Sequence, residues 1–115
     1  MDRLDKLIYL FECATQEKWS AALFSIAEEC GFMRILFGIV PSKTTPLETA
    51  FLKSNYPQEW RYAYDEMCLH NVDPTVSHCL GSTTPIIWKP DTFKGKKQNE
   101  FYEQACGFGL RSGIT

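Results

Sequence analysis

The run Asn55-Tyr56-Pro57-Gln58-Glu59-Trp60-Arg61-Tyr62-Ala63-Tyr64 decides how the chain is read, because the sequence changes period there. Upstream, Arg34 to Val40 is a short apolar run ended by Pro41, and Ser42 to Pro46 reads as a turn. With Leu47 to Lys53 this predicts two antiparallel strands, the first buried on both faces. Downstream, Pro57 suits a first helical turn, and Gln58, Glu59, Trp60, Arg61 and Tyr64 continue a helix to about Met67. Tyr56, Trp60 and Tyr64 recur at i, i+4 and i+8, a spacing that puts them on one helical face.

Working outward, Leu4, Leu7, Ile8, Leu10 and Phe11 give near-helical spacing over residues 3–13. A second helix is expected from about Lys18 to Cys30, on the spacing of Trp19, Ala22, Leu23, Ile26 and Ala27, with Gly31 as its stop. Asp73-Pro74 is another helix start, with about two turns ending at Gly81. Thr83 to Lys94, interrupted by Pro85 and Pro90, is expected to be irregular. A last helix from Lys96 to Cys106 closes at Gly107 and Gly109. The order ααββααα predicts an α/β fold, with helices packed around a central antiparallel sheet. Two strands make a marginal sheet. Gly113-Ile114-Thr115 looks like the start of a third, so the chain reads as truncated, with further strands expected after Thr115.

The 115 residues suit one domain, and their apolar (44%) and aromatic (14%) content supplies a core and excludes a disordered tail. Lys plus Arg is 12 and Asp plus Glu is 14, a formal charge of -2, and no basic run exceeds Lys96-Lys97. That balance argues against direct nucleic-acid binding. The apolar run Ile35–Val40 is far short of the ~20 residues that span a bilayer, and the mixed charges of Met1–Lys6 are not those of an export signal, so no membrane association is expected. Five scattered cysteines suit buried thiols in a reducing cytoplasm.

Tyr56, Trp60, Tyr64 and Asp73 together offer a phenol O–H, an indole N–H and a carboxylate beside aromatic walls. Such a set suits a small amide or ester ligand, with donors for carbonyls and an acceptor for an N–H. The same spacing also describes an aromatic core stripe followed by an Asp N-cap. Other motifs fail. Gln104-Ala105-Cys106-Gly107 departs from the caspase signature at Phe108, and neither histidine lies at the required distance. Cys68-x-His70 and His78-Cys79 lack zinc-ligand spacing. Gly107-x-Gly109-x-x-x-Gly113 misses the dinucleotide fingerprint and follows a helix instead of a strand. No catalytic residue, metal site or cofactor is expected.

Ser54-Asn55-Tyr56-Pro57, Trp60-Arg61, Tyr64-Asp65 and Val72-Asp73-Pro74-Thr75-Val76-Ser77-His78-Cys79 resemble the autoinducer-binding domain of LuxR-type quorum-sensing transcriptional regulators. Pro85-Ile86, Trp88, Lys97-Gln98, Glu100-Phe101 and the earlier Ile35–Gly38 extend the likeness, and Val72–Cys79 is most similar to LasR-type members. The resemblance implies an α/β/α sandwich enclosing an N-acyl homoserine lactone, of the long-chain 3-oxo kind for a LasR-type member. It implies that Trp60 donates to the lactone carbonyl, Tyr56 to the amide carbonyl, and that Asp73 accepts the amide N–H. Thr75 would support this polar end, and Arg61 would reach a 3-oxo group through water. Leu36, Gly38, Ala50, Leu52, Tyr64, Val76, Trp88, Phe101, Ala105 and Leu110 would wall in the head group and tail. Phe93 and Leu47 depart from the LasR-type pattern, which has aromatic residues there, a tyrosine at the first. The family's DNA-binding helix-turn-helix is not expected in these residues. A homodimer, or a heterodimer in which this chain modulates a full-length regulator through a strand edge at Leu47–Lys53, is the alternative role.

Overall fold

The computed structural model describes residues 2–39, 44 and 51–115. Among them are five α-helices and one two-stranded antiparallel sheet: α1 (Arg3–Glu12), α2 (Gln16–Glu29), β1 (Leu36–Ile39), β2 (Phe51–Ser54), α3 (Gln58–Glu66), α4 (Pro74–Gly81) and α5 (Gly95–Gly107). The chain divides into two compact units, Met1–Gly38 with Leu52–Tyr56, and Ile39–Phe51 with Pro57–Thr115.

In the first unit, side-chain caps start both helices. Asp2 accepts from Asp5 N at 2.8 Å to begin α1, and Thr15 accepts from Lys18 N at 3.2 Å to begin α2. The Thr15 cap starts α2 two residues earlier than its apolar spacing suggests. Lys6 on α1 pairs with Glu29 on α2, which lowers the Glu29 pKa. Trp19 meets Phe37 of β1 edge to face at 4.9 Å, which ties α2 to the strand. Asn55 extends the β1–β2 pairing by one residue. Its Oδ1 accepts from Ile35 N at 2.6 Å, its Nδ2 donates to Met33 O at 3.0 Å, and its own N–H reaches Ile35 O at 3.1 Å. Asn55 is therefore the last link of the sheet, whereas its sequence position suggested the opening of a new element.

The second unit has its core in Trp60, Leu69, Phe93, Phe101, Ala105 and Leu110, all buried. Its helix α5 ends in a Schellman motif: Leu110 N–H reaches Ala105 O and Gly109 N–H reaches Cys106 O, both at 3.0 Å. The motif needs a left-handed residue, and Gly109 supplies it at φ +85° without a Cβ penalty. The apolar contact that accompanies such caps is present as the buried pair Ala105 and Leu110. The glycine pattern that resembled a broken dinucleotide fingerprint is thus helix-ending chemistry.

Three expectations are corrected. The first strand is not buried on both faces, since Gly38 and Ile39 are exposed. Thr83–Lys94 is not wholly irregular. Ile86 and Thr115 exchange backbone hydrogen bonds at 2.8 and 2.9 Å, Trp88 N–H reaches Gly113 O at 2.9 Å, and Pro90–Thr92 forms a 3-10 turn. Gly113–Thr115 does pair as a strand would, and its partner is Ile86–Trp88. Third, the thiols are free but none is buried: Cys13 and Cys106 are half-buried, and Cys30, Cys68 and Cys79 are exposed. In the second strand, residues 47–50 lie outside the described residues, and with them most of the proposed partner edge. Among the described residues no helix is long and apolar enough to cross a membrane.

Candidate functional site

The site is built around one carboxylate. Asp73 precedes Pro74, whose fixed φ and missing N–H suit the first position of α4, so Asp73 is the N-cap. Its Oδ1 accepts from Thr75 N at 2.9 Å and from Thr75 Oγ1 at 2.7 Å. Its Oδ2 accepts from the Tyr64 hydroxyl at 2.8 Å. An ionised carboxylate has about four acceptor positions. Three are used here, which leaves room for one more donor at a side chain only 8% exposed.

Local chain geometry brings Tyr64 and Asp73 together. Helix α3 ends at Met67, Cys68 takes left-handed angles (φ 52°, ψ 45°), and Leu69–Asn71 makes a single 3-10 turn. Leu69 is buried, and its carbonyl accepts from Asp73 N at 2.9 Å, fixing where α4 begins. The Tyr64 phenol is held well above its ordinary pKa, first by burial and then by the adjacent Asp73 charge and their hydrogen bond. It therefore stays protonated and serves as a fixed donor. The Arg61 guanidinium covers the Tyr64 ring at 4.8 Å and pairs with Asp65 at 3.2 Å.

Trp60, one turn before Tyr64, is 3% exposed. Its ring lies 5.9 Å from Tyr64, 5.6 Å from Phe101 and 5.5 Å from Phe108. Such pairs contribute about 0.5–1.5 kcal/mol each beyond simple burial. Among the described residues the Trp60 Nε1–H makes no hydrogen bond. No fully buried side-chain nitrogen or oxygen there lacks a partner, so this N–H keeps a sliver of solvent access. The cluster thus carries one spare donor and one spare acceptor, joined through Tyr64.

The second unit thus brings together Trp60, Arg61, Tyr64, Asp73, Thr75 and Phe101. Val76 is half-buried on α4, beside Thr75. Ala105 and Leu110 are buried in the α5 cap. Trp88 differs from Trp60 in that its indole is already engaged, donating to Thr115 Oγ1 at 2.7 Å. Leu36, Gly38, Leu52 and Tyr56 belong to the first unit. Tyr56 precedes α3 and does not lie on it, because a residue before proline is driven to extended backbone. The helical i, i+4 relation therefore holds only for Trp60 and Tyr64. Ala50 lies outside the described residues. Sequence reasoning missed Phe108, which meets Trp60, whereas Phe93, noted there as a departure from the LasR-type pattern, is buried and stacks on Tyr102 at 4.5 Å. The seven-residue spacing of Phe101 and Phe108 was the available signal for the former. Among the described residues no group of three His, Cys, Asp or Glu could hold a metal ion.

The family model described as the autoinducer binding domain matches residues 15–115. The chain is 33% identical over 89 residues to the transcriptional activator protein AnoR of Acinetobacter nosocomialis, covering 77% of this chain and 37% of that protein. It is 29% identical over 80 residues to the transcriptional activator protein VanR of Vibrio anguillarum, covering 70% and 33%. It therefore spans about a third of the length of these curated relatives. The crystal structure of the N-acylhomoserine lactone dependent LuxR family transcription factor CepR2 from Burkholderia cenocepacia superposes with a TM-score of 0.76 at 24% identity, covering 96% of this chain and 63% of that one. That likeness supports the fold of mixed helices and antiparallel sheet.

Proposed function

This chain belongs to the autoinducer-binding domain family, a family of ligand-binding modules and not of enzymes, and we propose that it senses an N-acyl homoserine lactone. The observation that carries this reading is the pairing of a carboxylate with one acceptor position left and an indole N–H without a partner among the described residues. An acylated homoserine lactone presents the complement: one amide N–H and carbonyl oxygens on either side of it. In this reading Asp73 accepts the amide N–H and Trp60 donates to the lactone carbonyl. Thr75 and Tyr64 hold the carboxylate in place, and Arg61 reaches a 3-oxo group through water. Val76, Trp88, Phe101, Ala105 and Leu110 wall in the ring and tail.

Neutral hydrogen bonds contribute a net ~1 kcal/mol each, so the polar groups mainly orient the head and reject wrong ones. Each buried methylene contributes roughly 0.8 kcal/mol, so the tail governs affinity. The likeness of Val72–Cys79 to LasR-type members favours a long 3-oxo chain. The formal charge of -2 over residues 1–115 argues against direct DNA contact by them and supports a sensing role in a cytoplasmic transcription regulator. Titration calorimetry with 3-oxo-acyl homoserine lactones of increasing tail length tests the proposal. Affinity is expected to rise about fourfold per added methylene until the pocket is full. Affinity that ignores tail length contradicts it.

A further inference from the structure

The end of α5 carries a ring that a helix terminus alone does not require. Phe108 is the C-cap residue, half-buried, with its ring inclined 44° to the Trp60 indole at 5.5 Å. Phe101, seven residues earlier on the same helical face, lies 5.6 Å from that indole. The indole thus meets two rings, one borne by α5 and one by its C-cap residue. The Schellman bonds of Gly109 and Leu110 pin the backbone on either side of Phe108, so its ring cannot swing away with a fraying helix end.

We infer that Phe108 is a positioning residue that fixes the direction of the Trp60 indole N–H, and so makes the site select ligands with a carbonyl in the head ring. The inference rests on the reading of Trp60 as head-group donor. Phe101 and Tyr64 meet the indole at 5.6 and 5.9 Å from within their helices. Phe108 supplies a third ring contact, from the C-cap of α5, and in this inference it is the one that limits rotation of the indole. A donor held in one direction discriminates sharply between a ligand with an acceptor and one without, and a rotating donor does not.

The test is titration calorimetry with two ligands of the same acyl tail, an N-acyl homoserine lactone and the N-acyl cyclopentylamide that lacks the ring carbonyl. The wild type is expected to prefer the lactone by about tenfold, one oriented hydrogen bond. In Phe108→Ala, lactone affinity should fall about fivefold and cyclopentylamide affinity stay within twofold, collapsing the preference. Phe108→Leu, which keeps bulk without a ring, should lie between, and it carries the test if Phe108→Ala does not fold. Trp60→Phe should abolish the preference whatever stands at 108. Equal weakening for both ligands, or an unchanged preference, in the Phe108 variants while Trp60→Phe loses it overturns the role of Phe108 alone. A preference that survives Trp60→Phe, or a wild type that shows none, overturns the reading of Trp60 and this inference with it.

Discussion

The Tyr64 hydroxyl donates to Asp73 Oδ2 at 2.8 Å, joining the last turn of one helix to the N-cap of the next. The bond commits the phenol to a supporting role and leaves the second acceptor position of Oδ2 for a further donor, since Oδ1 already accepts twice from Thr75.

Removing that donor tests the arrangement. Tyr64→Phe leaves the ring packing in place and strips one bond from a buried carboxylate. A loss of about 1.5–3 kcal/mol in urea unfolding is expected, the range for hydrogen bonds to charged groups. A change of a few tenths would mean the bond contributes little.

The same phenol sets an alkaline limit. Its folded pKa is raised above the ordinary value near 10, so its contribution is complete below about pH 10 and declines above it as the unfolded chain ionises first. Absorbance titration should show Tyr64 as the last tyrosine to ionise, a component missing from Tyr64→Phe. Early titration of all five tyrosines in the folded chain would contradict the burial of this group.

Asp73 has two duties that substitution can separate. Asp73→Asn keeps an N-cap oxygen for Thr75 N, and its amide can donate to the Tyr64 oxygen, so stability should change by less than about 1 kcal/mol. Asp73→Ala loses the cap and orphans Tyr64 and Thr75, and should cost about 2–4 kcal/mol. Circular dichroism melts of the two variants compare them directly.

Glycine positions near the end of the chain differ in kind. Gly109→Ala meets no atom within 4 Å but must hold φ +85°, so a loss of about 1–2 kcal/mol should come from backbone strain alone. Gly113→Ala would place a Cβ 3.2 Å from the Trp88 ring. It should disturb that ring, read as a change in near-ultraviolet dichroism that Gly109→Ala does not show.

Helix existence was legible because the signals are local: Asp73-Pro74, Gly31, Gly109 and the spacing of Trp19 through Ala27 each act within one turn. The pairing of Ile86–Trp88 with Gly113–Thr115 was not, because it joins segments far apart and Pro85 and Pro90 mask the strand between them. The turn that carries Asp73 back to Tyr64 depends on left-handed Cys68, a conformation that no propensity assigns to cysteine. Tyr64 was read as a wall because aromatic spacing shows which face a ring occupies and says nothing of where its hydroxyl points. Tyr56 was placed on the helix by counting residues, and Pro57 breaks that count.

The most direct test of the lactone site is calorimetric titration of one long-chain 3-oxo-acyl homoserine lactone into the wild type, Trp60→Phe and Asp73→Asn, with unfolding midpoints measured alongside. Affinity should fall about tenfold or more in each variant, with the Asp73→Asn midpoint close to that of the wild type and the Trp60→Phe midpoint lower, because a smaller ring loosens a buried cluster. Dissociation constants within twofold of the wild type in both variants would contradict the account.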